Sequence, residues 1–204
     1  MKTLIWDLDG TLVDSYERIT SVTKKVFAPY KDFSIDEIFN RVIKTSVVDF
    51  FMVESENLDL SVEELFSSYN SLTSQIEPGD YRLMEHTKEI LSYYLDLGYK
   101  HYIYTHRGLS TYDILKSHDI SDWFVDVVTS EDGFRRKPDP DALNYLITKH
   151  RLNRSETYYI GDRLLDVLCG KAAGVGTVYI GDDSTIEADI SVESINDIKR
   201  YISI

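Results

Sequence analysis

Two aspartates, Asp7 and Asp9, stand one residue apart at the end of the apolar run Thr3-Leu4-Ile5-Trp6, and Gly10 and Thr11 follow at once. The β-branched and aromatic makeup of that run predicts a buried strand ending at Asp7. Side chains two apart in extended chain point to the same side, so the strand presents both carboxylates together. Gly10 then tolerates the positive φ of a tight turn. Carboxylates gathered at one spot repel unless positive charge lies between them, and a divalent cation is the usual solution. Taken alone, Asp-x-Asp-Gly is better read as an ordinary strand end and turn.

Three further segments carry groups suited to the same chemistry. Tyr102-Ile103-Tyr104 ends in the hydroxyl of Thr105, with His106 and Arg107 next; Arg136-Lys137-Pro138-Asp139-Pro140-Asp141 supplies a lysine. Tyr158-Tyr159-Ile160-Gly161-Asp162 is followed by Arg163 and Asp166, then by Gly170 and Ala173-Gly174. Asp162 is expected to open a helix with Asp166 on the same face. A hard cation such as Mg²⁺ takes oxygen ligands and keeps several waters, so few carboxylates suffice. Singly, these residues also read as first-turn acids favoured by a helix dipole, a loop lysine and a strand-end threonine.

In this order the four segments resemble the four motifs of the haloacid dehalogenase-like hydrolases, within them the phosphoglycolate phosphatase-like branch with a small helical cap. The resemblance implies Asp7 as a nucleophile that forms an aspartyl-phosphate, dividing one hard hydrolysis into two easier steps. Asp9 is implied as the acid that protonates the leaving alcohol and the base that then activates water. Asp7, the backbone carbonyl of Asp9, Asp162 and Asp166 are the implied Mg²⁺ site, with Asp166 either a direct ligand or one step removed. Lys137 is implied to neutralise the nucleophile and a phosphate oxygen. Thr105 is implied to donate its hydroxyl to phosphate, and the N–H groups of Gly10 and Thr11 are expected to contact it. His106-Arg107 stands where relatives often carry a small polar residue, and His106 joins the expected phosphate or substrate contacts. Arg163 replaces another small residue, as an added phosphate contact or a structural ion pair.

Positioning these groups takes strands and helices in alternation. Apolar, β-branched strands are predicted at 3–6, 102–105, 125–129, 157–160 and 177–180, and helices at 85–97, 111–118, 140–149 and 164–173. Such alternation predicts an α/β fold, a Rossmann-like doubly wound parallel sheet. Ligands bind beyond the carboxyl ends of such sheets, where Asp7, Thr105 and Asp162 all fall. Residues 16–78 break the alternation with helices at 16–30, 34–42, 46–56 and 61–75. Ser34 with Glu37, and Ser61 with Glu64, have capping-box spacing. The expected division is therefore a core of 1–15 and 79–204 and a helical cap of 16–78 inserted after the first strand. In the cap, Arg41, Lys44, Thr45 and Ser46 lie at a helix junction that resembles the substrate-selecting loop of related caps, without the glycine often seen there, and Lys44 is the candidate substrate-selecting cation. Phe27, Phe39, Phe50, Phe51 and Phe66 read as cap core.

Length and charge set outer limits. At 204 residues the chain suits one core with a modest insertion. A net charge of −13 argues against non-specific nucleic-acid binding. One cysteine, Cys169, excludes an internal disulfide and suits a reducing compartment. With no signal-like start and no apolar run of ~20 residues, a cytoplasmic protein with no membrane partner is expected, as monomer or homodimer. The leading expectation is a Mg²⁺-dependent phosphatase of small phosphorylated metabolites. The alternatives are a phosphosugar mutase resembling β-phosphoglucomutase, and a non-catalytic regulator on the same fold. A dehalogenase is disfavoured, because that chemistry uses no metal and lacks the second motif aspartate. A phosphonate hydrolase would need a Schiff-base lysine among Lys24, Lys25 and Lys44.

Overall fold

The computed structural model describes residues 2–202. The chain divides into two compact units, one of Met1–Asp14 with Arg82–Ile204 and the other of Ser15–Tyr81. The first holds β1 (Thr3–Trp6), β2 (Val13–Asp14), β3 (Arg82–Leu83), β4 (Lys100–Tyr104), β5 (Phe124–Val128), β6 (Thr157–Gly161), β7 (Gly176–Ile180) and β8 (Ile190–Val192). Its helices are α5 (Thr87–Asp96), α6 (Ser110–Ser117), α7 (Asp141–His150) and α8 (Leu164–Ala173). The second unit holds α1 (Tyr16–Phe27), α2 (Ile35–Lys44), α3 (Val47–Leu58) and α4 (Val62–Thr73).

Six strands form a parallel sheet in the order β5-β4-β1-β6-β7-β8. The chain builds outward from β1 on one side through β4 and β5, then crosses to build the other side from β6. The reversal lies at β1, so the carboxyl ends of β1, β4 and β6 converge where such sheets bind ligands. The sheet is Rossmann-like and α/β, with its strand centres within a residue or two of their sequence-predicted places. The short edge strand β8 carries too little apolar alternation to be read from sequence.

Both faces of the sheet are covered. Ile5, Tyr102, Tyr104 and Tyr159 pack with Leu143, Leu146 and Ile147 of α7 and Cys169 and Ala173 of α8. On the opposite face Trp6 donates its indole N–H to His101 Nδ1 (2.9 Å), and His101 Nε2–H donates to the Leu91 carbonyl of α5 (3.0 Å). A fully buried imidazole is thereby satisfied at both nitrogens and ties strand to helix. β2 and β3 pair antiparallel, Val13 with Leu83 and Asp14 with Arg82, joining the stretches that flank the insertion.

The helical unit has its own core. Phe27, Phe33, Phe50 and Phe51 are buried and meet edge to face, Phe27 and Phe51 at 5.1 Å, while Phe66 stacks on Phe51 at 4.8 Å. Phe39 lies outside this cluster and meets Tyr16 edge-on at 5.5 Å. Ser34, Ser46 and Ser61 cap their helices by accepting from the backbone N–H of Glu37, Asp49 and Glu64. α1 stops at Phe27, short of its predicted end at 30, and a turn follows in which the Phe27 carbonyl accepts from the N–H groups of Tyr30 and Lys31. Among the described residues, no helix is long and apolar enough to cross a membrane.

Candidate active site

β1 brings Asp7 to the sheet's ligand-binding end, with its N–H still donating to the Ile160 carbonyl (2.8 Å). The following turn is closed by its own backbone. Gly10, at φ +81°, donates to the Val13 carbonyl (2.8 Å), and Thr11, Leu12 and Val13 donate to Leu8. The amides of Gly10 and Thr11, expected to face phosphate, are thus engaged within the turn. Thr11 offers its hydroxyl instead, donated to Asp162 Oδ1 at 3.2 Å.

Lys137 joins the motif segments. Its side chain is fully buried, and Nζ donates to Asp7 Oδ1 at 2.7 Å and to Asp166 Oδ1 at 2.8 Å. The ammonium also lies over the rings of Tyr104 (4.9 Å) and Tyr159 (5.3 Å), which favour a cation on their faces. Asp166 accepts further bonds from the Tyr159 hydroxyl (3.1 Å) and the Arg163 N–H (3.2 Å). Asp7, Asp162 and Asp166 each place a carboxylate oxygen within 4.8 Å of the others.

Asp162 does not open a helix. It sits in a bend after β6, Arg163 follows in extended conformation, and α8 begins at Leu164. Asp162 and Asp166 converge because the chain folds back at this bend. Gly161 makes the approach possible, since a Cβ there would lie 2.3 Å from Asp166 Cγ.

Burial pushes the Asp7 carboxyl up to about 6; the Asp166 charge adds to this, against the opposing pull of Lys137 and Arg163. For Asp166 burial acts in the same direction, but Lys137 and Arg163 outweigh it and hold the carboxyl below its usual range. Burial opposes the Lys137 charge, and Asp166 and Asp7 overcome it, keeping the ammonium above its usual range. One buried ammonium is thus shared between two buried carboxylates, at 2.7 and 2.8 Å. Asp7 Oδ2 is buried with no hydrogen-bond partner. An orphaned carboxylate oxygen among three clustered aspartates fits a hard divalent cation, which would supply the missing charge.

The other sequence-predicted residues divide. Thr105 is buried at the end of β4, held by its N–H to Val128 O (3.0 Å), and its hydroxyl oxygen accepts from the Arg107 N–H (3.1 Å). His106 turns toward the lysine loop, where Nε2 accepts from the Lys137 backbone N–H at 2.9 Å. Burial pushes this imidazole down to about 2, and Lys137, Arg136 and Arg163 act the same way, so it is neutral. Lys44 belongs to the helical unit, exposed at the end of α2. Nearby Arg41 has a structural partner, Glu54, at 2.7 Å, and lies over the Phe50 ring at 4.3 Å.

Four residues within or beside the motifs take roles that the sequence does not show. Tyr104 and Tyr159 look like ordinary strand residues, though they frame the ammonium. Gly161 is a glycine inside a strand, a pattern that marks close approach of another group. Arg107 holds Asp9: Nε reaches Oδ1 (3.0 Å) and Oδ2 (3.2 Å), and Nη2 reaches Oδ1 (2.5 Å).

Residues 4–180 match the family model described as haloacid dehalogenase-like hydrolase. A phosphoglycolate phosphatase of Vibrio vulnificus is 28% identical over 188 residues, covering 85% of this chain and 81% of the relative. A pyrophosphatase PpaX of Bacillus pumilus is 27% identical over 183 residues, covering 88% and 83%. Among solved structures, a subfamily IA hydrolase of the same superfamily from Geobacter sulfurreducens superposes with a TM-score of 0.75 at 20% identity, covering 100% of this chain and 97% of its own. The match runs from the strand before Asp7 to the end of β7 and so takes in every segment that meets at Lys137. This chain belongs to the haloacid dehalogenase-like hydrolases, on the branch where its phosphoglycolate phosphatase relatives lie.

Proposed function

We propose that the protein is a Mg²⁺-dependent phosphatase of small phosphorylated metabolites, acting through a phosphoryl group carried on Asp7. The observation that carries this reading is the Lys137 ammonium fixed between Asp7 and Asp166 while Asp7 Oδ2 has no partner. Mg²⁺, held by Asp7, the Asp9 carbonyl, Asp162 and directly or indirectly Asp166, would supply positive charge to the phosphoryl oxygens.

The chain's own residues do the rest. Lys137 holds the Asp7 carboxylate in one orientation and balances charge as the phosphoryl group arrives. Asp7 attacks phosphorus while Asp9 protonates the departing alcohol, and in the second half Asp9 takes the proton of the attacking water. Thr105 directs its hydroxyl to a phosphoryl oxygen, and His106 keeps the Lys137 backbone in place. Segment 16–78 is the cap in this reading, and Lys44 selects among substrates.

Release of phosphate from phosphoglycolate, pyrophosphate and para-nitrophenyl phosphate, with Mg²⁺ and with EDTA, tests the proposal. Mg²⁺-dependent release supports it, whereas full activity in chelator or no release from any substrate contradicts it. Conversion of glucose 1-phosphate to glucose 6-phosphate without phosphate release would favour the mutase alternative.

A further inference from the structure

Arg107 is a cation at the end of the second motif strand whose role the resemblance leaves open. Its backbone is fixed on both sides, the N–H donating to Thr105 Oγ1 (3.1 Å) and the carbonyl accepting from the Ser130 N–H (3.1 Å). Its side chain is only 12% exposed and takes Asp9 in a forked grip, with the two shorter contacts, 3.0 and 2.5 Å, on Oδ1. Oδ2 takes the longest of the three, at 3.2 Å. A rigid guanidinium fork fixes the plane of a carboxylate as a lysine's point charge does not.

We infer that Arg107 is a positioning residue for the hydrolytic half of the reaction, holding the Asp9 carboxylate with Oδ2 turned to the attacking water. This rests on the phosphatase reading above. In that step the water oxygen bonds to phosphorus as the Asp7 oxygen–phosphorus bond breaks, and that electron pair returns to the Asp7 carboxylate. The water proton passes to Asp9 Oδ2, and inorganic phosphate leaves. A base already fixed for water shortens the life of the phosphoenzyme, which suits a phosphatase and works against a mutase that must keep its phosphoryl group.

Acetyl phosphate separates the half-reactions, because its leaving group needs little protonation, so loading of Asp7 makes little demand on Asp9. In rapid-quench experiments with Mg²⁺, Arg107→Met should load at close to the wild-type rate and lose phosphate about 10- to 100-fold more slowly, a substantial part of a general base's usual effect. Phosphoenzyme should then accumulate at steady state. Arg107→Lys should recover part of the rate, and added guanidinium should partly rescue Arg107→Met. Unchanged dephosphorylation, or equal slowing of both steps with no rescue, would overturn the inference. Asp9→Asn is the control for the underlying reading. If it accumulates phosphoenzyme and Arg107→Met does not, the positioning role fails alone; if no variant forms phosphoenzyme, the phosphatase reading fails.

Discussion

Gly161→Ala should damage the site through one side chain. The added Cβ would lie 2.3 Å from Asp166 Cγ, 2.4 Å from its Cβ and 2.5 Å from Oδ2. Carbon atoms rest comfortably at ~3.5 Å, so something must move by about an ångström. Gly161 is fixed in register with Tyr179 on β7, which places much of the displacement on Asp166. That strains the 2.8 Å bond to Lys137 and the 3.1 Å bond from Tyr159. Overpacking costs about 1–3 kcal/mol and a lost charge-assisted hydrogen bond a similar amount, so a destabilisation of about 3–5 kcal/mol is expected. Turnover should fall about 100-fold, because Lys137 loses one of two anchors and catalysis is sensitive to ångström misplacement. Urea unfolding in a double-mutant cycle isolates the cause. In an Asp166→Gly background the same substitution should cost less than about 1 kcal/mol, since the atoms it strikes are gone. An equal cost in both backgrounds, or none in the parent protein, would refute the reasoning.

Asp7→Asn should abolish turnover yet leave the melting temperature nearly unchanged or raised, because burial already disfavours the Asp7 charge; calorimetry beside an activity assay checks both. His101 imposes an acid limit on stability. Burial pushes its imidazole from 6.5 down to about 4, so between these values the unfolded chain binds more protons. Its contribution is complete above pH 6.5 and falls by about 3 kcal/mol as the pH drops to about 4, a slope that urea unfolding should find reduced in His101→Gln. Lys44→Ala should raise KM for phosphoglycolate severalfold while para-nitrophenyl phosphate is hydrolysed nearly as before; equal effects on both would make Lys44 a bystander.

The strands that carry Asp7, Thr105 and Asp162 were legible because a parallel sheet buried on both faces demands continuous apolar runs. The helical insertion was legible through its serine caps and its phenylalanines. Within the site, Lys137 could be located from its motif, but the closeness of its bonds to Asp7 and Asp166 depends on chain separated by 130 and 29 residues. The spacing of Asp162 and Asp166 reads as helical in the sequence, since nothing local marks the bend at Asp162 and Arg163. Arg107 stood in view as a departure from the family pattern. Its partner Asp9 lies 98 residues away in sequence, and only the pairing of β4 beside β1 brings the two together.

Direct trapping of the covalent intermediate tests the central claim. The Asp9→Asn protein, loaded with acetyl phosphate and Mg²⁺, acid-quenched and reduced with borohydride, should yield homoserine in place of Asp7 by peptide mass spectrometry. Reduction at another residue, or continued turnover with Asp7 never modified, would contradict the account.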